Sequence, residues 1–158
     1  MIPNLILLEA RIRKELDQLE KLQDELKTLA KLKEQKLKSV KLRAYASILH
    51  DFYSGIEKIF ISIAREIDQV VPKSQGWHRD LLEQMTLDIP SKRPAVINDH
   101  LLGELQQYLG FRHRFRNLYG YELEWARMEP LVRDLVPTFS EFKDNLETFL
   151  DLLTEIQE

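Results

Sequence analysis

The sequence predicts an all-α protein, an up-and-down bundle of about five helices led by a long amphipathic N-terminal helix. Apolar residues recur at helical spacing along most of the 158 residues, no stretch alternates as a strand would, and prolines and glycines fall where helices should end. One domain over 1–158 is expected, with 4–36 as the long first helix and 38–158 as the remaining bundle.

Leu5, Ile12, Leu19 and Leu26 recur every seven residues, with Leu8, Leu22 and Leu29 three positions later, and charged residues fill the other faces. Such a seam fits a coiled-coil hairpin, a bundle helix or an oligomerising coiled coil over 4–36, and periodicity does not choose among them. A second helix starting at Lys38 or Ser39 has apolar positions from Val40 to Ile67 on so wide a face that it should lie centrally; it should stop before Pro72. After the turn Pro72 to Gly76, Trp77 to Met85 reads as a short helix, with Trp77 an apolar anchor, His78 a capping or pairing group and Met85 core. Asn98 is a candidate N-cap for a helix from Asp99 to about Tyr119, stopped by Gly120. Within it Gly103 and Gly110, each costing about 1 kcal/mol against alanine, predict close helix contact or a kink. A last helix, broken near Pro130, continues past Pro137 with Phe139, Phe142, Leu146, Phe149, Leu150, Leu153 and Ile156 as its apolar face.

Composition excludes several classes. Without cysteine there is no disulfide framework, thiolate zinc cluster or cysteine nucleophile, which suits a reducing cytoplasm, the expected location. No apolar run approaches the roughly 20 residues that cross a bilayer, so no membrane association is expected. The glycines form no phosphate-cradling loop, the histidines no metal-binding pair at helical spacing, and no Gly-x-Ser-x-Gly elbow is present. No metal and no resident cofactor are therefore expected. The net charge of −3 is unevenly spread: Glu122 to Glu158 holds ten acids against three bases, while Lys27 to Arg43 and Arg112 to Arg116 are basic clusters able to meet phosphate. A solvated helix end explains the first cluster equally well.

The chemically richest stretch is Phe111-Arg112-His113-Arg114-Phe115-Arg116-Asn117-Leu118-Tyr119-Gly120-Tyr121-Glu122-Leu123. On a continuous helix, Arg116 lies about 40° and Tyr119 about 20° from Arg112, so the three form one strip edged by His113 and Asn117. Guanidiniums on such a strip clamp phosphate while an imidazole moves a proton. The alternative is a polar network that orients two helices through arginine–carboxylate pairs.

This stretch resembles the HepT-like branch of the HEPN superfamily. Leu49-His50-Asp51-Phe52-Tyr53-Ser54-Gly55-Ile56-Glu57-Lys58-Ile59-Phe60, Gly76-Trp77-His78-Arg79-Asp80-Leu81-Leu82 and Arg93-Pro94-Ala95-Val96 extend the likeness over about Leu49 to Leu123. The resemblance implies a small helical homodimer acting as a metal-independent ribonuclease toxin on RNA, tRNA being one candidate. It also implies a minimal nucleotidyltransferase antitoxin that adenylylates the toxin with ATP. The motif of that superfamily, an Arg, then four to six residues, then a His and often a Tyr two positions beyond, maps onto Arg112, Asn117 and Tyr119. On this reading the catalytic group is Arg112, His113 and Asn117, the RNA phosphate contacts are Arg112, Arg114 and Arg116, and Tyr119 is the tyrosine that receives AMP. Paired copies of the motif would face each other across the dimer.

Asn117 stands where the superfamily has histidine, and an amide does not accept and release a proton near neutrality. His113 is the only imidazole in the segment able to replace it. Three versions follow: a ribonuclease using His113; a non-catalytic relative that binds nucleotide, RNA or its partner; or a toxin whose active site was altered to permit expression.

Overall fold

The computed structural model describes residues 4–32 and 38–157. Five α-helices account for most of them: α1 (Leu5–Ala30), α2 (Lys38–Ile63), α3 (Trp77–Gln84), α4 (Asp99–Phe115) and α5 (Trp125–Gln157). Among the described residues the one extended pairing is an isolated bridge between Ile89 and Arg93. Residues 33–36 of the expected first helix lie outside the described residues.

The seam of α1 is used within the chain. Leu8, Ile12, Leu16, Leu19 and Leu26 are buried, and α1 packs on α2 and α5. Its pairing with α2 joins Arg11 to Glu66 and Glu15 to Lys58, so residue numbers fall on one helix as they rise on the other and the two are antiparallel. Gly55 lets them approach, since a Cβ there would lie 2.7 Å from Leu19 Cδ2. The seam expected to permit an oligomerising coiled coil is thus covered by the protein's own helices.

α2 lies centrally, as its wide apolar face predicts, touching each of the other four helices. Phe52, Tyr53, Ile56 and Phe60 are fully buried, with Phe52 edge-on to Tyr108 of α4 and Phe139 of α5. The helix runs on as a π-turn, Ala64–Asp68, and ends at Gln69 in the left-handed conformation. There Asp68 accepts from the buried Arg93 (Nη2 to Oδ2, 2.8 Å), whose guanidinium also donates to Leu87 O at 2.8 Å. This ties the loop after α3 to the end of α2. Met85 and Met128 are core residues.

Asn98 caps α4, accepting from Leu101 N–H at 2.8 Å. Three expectations need correction. Gly103 meets nothing within 4 Å and Gly110 only the flexible end of Arg114, so neither marks a close helix contact, and α4 runs through both. α4 ends at Phe115, not near Tyr119, because its last turn tightens: Asn117 N–H donates to Arg114 O and Leu118 N–H to Phe115 O. A short 3₁₀ turn, Gly120–Glu122, then brings Leu123 back into the core. Finally, α5 is not broken: it contains Pro130 and Pro137. Both prolines are exposed, and the carbonyls they leave without an amide belong to the exposed residues Ala126 and Arg133, where water can serve. Phe139, Phe142, Leu146, Phe149, Leu150 and Leu153 are buried as expected, whereas Ile156 is exposed. Among the described residues, no helix is long and apolar enough to cross a membrane.

Candidate functional site

The end of α4 carries two kinds of arginine. Arg112 points inward and is 3% exposed. Its Nη2 donates to Glu57 Oε2 of α2 at 2.9 Å and its Nη1 to Ser54 Oγ at 3.2 Å, while its guanidinium lies 4.9 Å over the Tyr53 ring. Burial pushes the Tyr53 phenol well above its usual range; nearby Glu57 pushes the same way and Arg112 opposes it. His78, at the start of α3, completes the cluster with Nδ1 2.8 Å from the same Glu57 oxygen. A carboxylate only accepts, so Nδ1 carries a proton in that contact. The 2.9 Å approach of Arg112 Nη2 to Nδ1 is then a packing contact between two donors. Trp77 stacks on the imidazole at 3.6 Å.

The outward face is different. His113, Arg114 and Asn117 line a cleft of about 650 Å³ together with Tyr121, the acidic Glu122 and Glu124 and, from the first turn of α5, Arg127 and Met128. Arg127 is paired with Glu124 at 3.3 Å. Arg43 of α2 reaches this end of the molecule, its guanidinium lying against Gly120, where a Cβ would come within 2.4 Å of Cζ. Among the described residues Arg43, Arg114 and Arg116 have no carboxylate partner, whereas every other arginine of the chain is ion-paired. Three uncompensated guanidiniums at one end of a chain of net charge −3 make a local anion-attracting surface.

The sequence-predicted residues are therefore divided. The strip of Arg112, Arg116 and Tyr119 on one helix face does not form, because the helix stops before Arg116 and Tyr119 adopts extended geometry. His113 and Asn117 do share the cleft, and the Asn117 amide donates to the His113 carbonyl at 3.4 Å. Tyr119 is 69% exposed. His50 is partly exposed, lies tilted against the Phe115 ring and meets its neighbour Asp51 at 3.3 Å. In the lysine-rich run, Lys41 donates to Leu32 O at 2.6 Å and Lys27, Lys31 and Lys38 are exposed, the pattern of a solvated helix end.

Sequence reasoning assigned no role to Glu57, Tyr121, Arg127 or Arg43 alone. Glu57 had a signal, being a carboxylate amid the apolar positions Phe52, Tyr53, Ile56, Ile59 and Phe60 of a central helix. Arg43 had none, because its contact with Gly120 joins residues distant in sequence.

The molecule is thus an all-helical bundle in which Arg112, Glu57 and His78 meet near a cleft of mixed charge. Its family follows from sequence comparison: a family model described as HepT-like protein matches residues 44–153, and the chain belongs to that family. The match starts inside α2 and leaves α1 outside it. Searches of curated proteins and of solved structures return no match.

Proposed function

We propose that this HepT-like protein is the toxin component of a toxin–antitoxin pair, a metal-independent endoribonuclease neutralised by a nucleotidyltransferase that adenylylates Tyr119. The observation that carries the reading is the cleft in which His113 stands with Asn117 and with Arg114, an arginine without a carboxylate partner among the described residues.

In the proposed reaction the RNA 2′-hydroxyl attacks the adjacent phosphorus. His113 takes the hydroxyl proton as the 2′-O–P bond forms, Arg114 offsets the phosphorane charge, and the imidazolium returns that proton to the 5′-oxygen as the P–O5′ bond breaks. The products are a 2′,3′-cyclic phosphate and a 5′-hydroxyl, and the protons balance with no further reactant. Asn117 stands beside His113 in the cleft, its amide held on the His113 backbone carbonyl, and serves as an orienting group for the substrate. Arg112 acts as a positioning residue, holding α4 against α2 and α3, and functions with Arg114 and Arg116 as phosphate contacts only through the shape it gives that helix end. AMP on the exposed Tyr119 adds a negative phosphodiester and a bulky base next to this surface, which repels and blocks RNA.

The test is incubation of the purified protein with tRNA in EDTA, resolved on a denaturing gel. Cleavage by the parent, lost in His113→Ala and raised about 100-fold or more in Asn117→His, supports the reading. His113→Ala is preferred to Arg112→Ala because His113 is exposed and its loss leaves the fold alone. Co-expression with a nucleotidyltransferase should add AMP by intact mass, and Tyr119→Phe should abolish the adduct.

A second reading, a homodimeric module that binds RNA, nucleotide or its antitoxin without cleaving, is favoured by Asn117, which supplies no proton carrier at the superfamily's position. Cleavage by Asn117→His alone would select it.

A further inference from the structure

We propose that Tyr119 and Tyr121, with the Arg43 guanidinium lying against the intervening Gly120, form a base-stacking platform that selects unpaired RNA. This rests on the RNA reading above and adds to it the class of substrate and three residues that take part in holding it.

The two rings are parallel to within 6°, with centroids 5.5 Å apart, and are 69% and 75% exposed. Tyrosines that serve packing bury their rings; these present a flat π surface to solvent. The surface is held in place by its backbone. Glu122 N–H donates to Tyr119 O at 2.9 Å, the Glu122 carboxylate accepts from Tyr119 N–H at 3.3 Å, and the next residue, Leu123, is anchored in the core. An offset pair this close leaves no space for a third ring between its members, so a base adds to the outer face of the stack. Tyr121 also lines the cleft with His113 and Arg114, which places a base on its ring next to the group proposed to move the proton.

Charge completes the argument. Arg43 and Arg116 flank the turn without carboxylate partners among the described residues, and the absent side chain at Gly120 is what admits the Arg43 guanidinium. An aromatic surface bordered by unpaired cations suits a strand whose bases have free faces and whose phosphates run alongside. A duplex offers neither, since its bases are covered on both faces by their neighbours.

The experiment measures fluorescence anisotropy of an end-labelled 2′-O-methyl RNA strand, which cannot be cleaved by 2′-hydroxyl attack, and of the same strand annealed to its complement. The parent should bind the single strand more tightly than the duplex. Tyr121→Ala should weaken single-strand binding by about 5- to 150-fold, the range for loss of one base–aromatic stack, while Tyr121→Phe stays near the parent. Gly120→Ala should weaken it less, and no further in an Arg43→Gln background. All these positions are exposed or meet only a flexible side-chain end, and circular dichroism confirms folding. Unchanged affinity in Tyr121→Ala, duplex bound as well as single strand, or a Tyr121→Ala change in oligomeric state by light scattering without a change in affinity would each overturn the platform. Cleavage of natural RNA that survives in Tyr121→Ala with unaltered affinity overturns the platform and leaves the ribonuclease reading standing. Binding of the methylated strand by a parent that cleaves no natural RNA does the reverse.

Discussion

Arg112 and Arg116 lie one helical turn apart at the end of α4, and they have opposite environments. Arg112 is enclosed by Glu57, Ser54, Tyr53 and His78; Arg116 is exposed and meets no carboxylate among the described residues. Arg93 repeats the first pattern with Asp68, and Arg43 and Arg114 repeat the second. The difference teaches that one residue type performs two jobs within one basic motif. A buried guanidinium has its charge spent on a carboxylate and fixes how helices meet. An unpaired exposed one leaves its field available to a ligand.

The largest effect that can break this division is on stability. Arg112→Ala leaves the buried Glu57 without its guanidinium, with only the His78 contact, and Arg93→Ala leaves the buried Asp68 without a cation, with only the Gln84 amide, so each should cost about 3–5 kcal/mol. For a chain of this size that is a fall in melting temperature of roughly 6–20 °C. Arg114→Ala and Arg116→Ala should stay within about 0.5 kcal/mol. Equal melting temperatures for Arg112→Ala and Arg116→Ala would abolish the distinction. The pair Glu57→Leu with Arg112→Met sharpens it: removing both charges should recover most of the loss, as expected when the cost comes from an orphaned ion.

A smaller effect lies in the salt dependence of RNA binding. Each of Arg43→Gln, Arg114→Ala and Arg116→Ala should reduce the slope of log affinity against log salt by about 0.7, the value for one phosphate contact on a single strand. The double replacement Glu57→Leu with Arg112→Met should leave the slope unaltered. A slope that falls as far with Arg112 replaced as with Arg116 replaced would mean that the buried guanidinium also meets phosphate.

Most of the fold was legible because it depends on local periodicity. The seam of α1, the central place of α2, the Asn98 cap and the apolar face of α5 all follow from spacing, and the structure has each of them. The failures share a cause. Continuity through Pro130 and Pro137 depends on which face of α5 is outward, and the early end of α4 depends on Leu123 returning to the core. The same holds for the candidate site. Residues 111–123 marked themselves by their chemistry, and their family likeness was readable, but the inward turn of Arg112 required Glu57 and His78, brought from 55 and 34 residues away. The convergence of Arg43 on Gly120 was beyond any spacing rule.

The smallest effect comes from the other end of α4, where His100 provides an exposed counterpart to the buried Glu57–His78 contact. Its Nδ1 meets Glu141 of α5 at 2.9 Å and its Nε2 faces Glu104 one turn along α4. The hydrogen bond to Glu141 raises the His100 pKa above its ordinary 6.5, with the charge of Glu141 acting in the same direction. A histidine whose pKa is higher folded than unfolded favours the folded state fully below the unfolded value, and that contribution fades as pH rises through the folded one. The difference in melting temperature between the parent and His100→Gln should therefore be greatest near pH 5.5, shrink as pH rises past 6.5, and be smaller throughout than the effect of Arg112→Ala, because solvent screens the exposed pair. A difference that stays constant from pH 5.5 to pH 8 would mean that His100 contributes by packing alone. A difference as large as that of Arg112→Ala would remove the contrast between enclosed and exposed pairs from which the functional reading of the bare arginines starts.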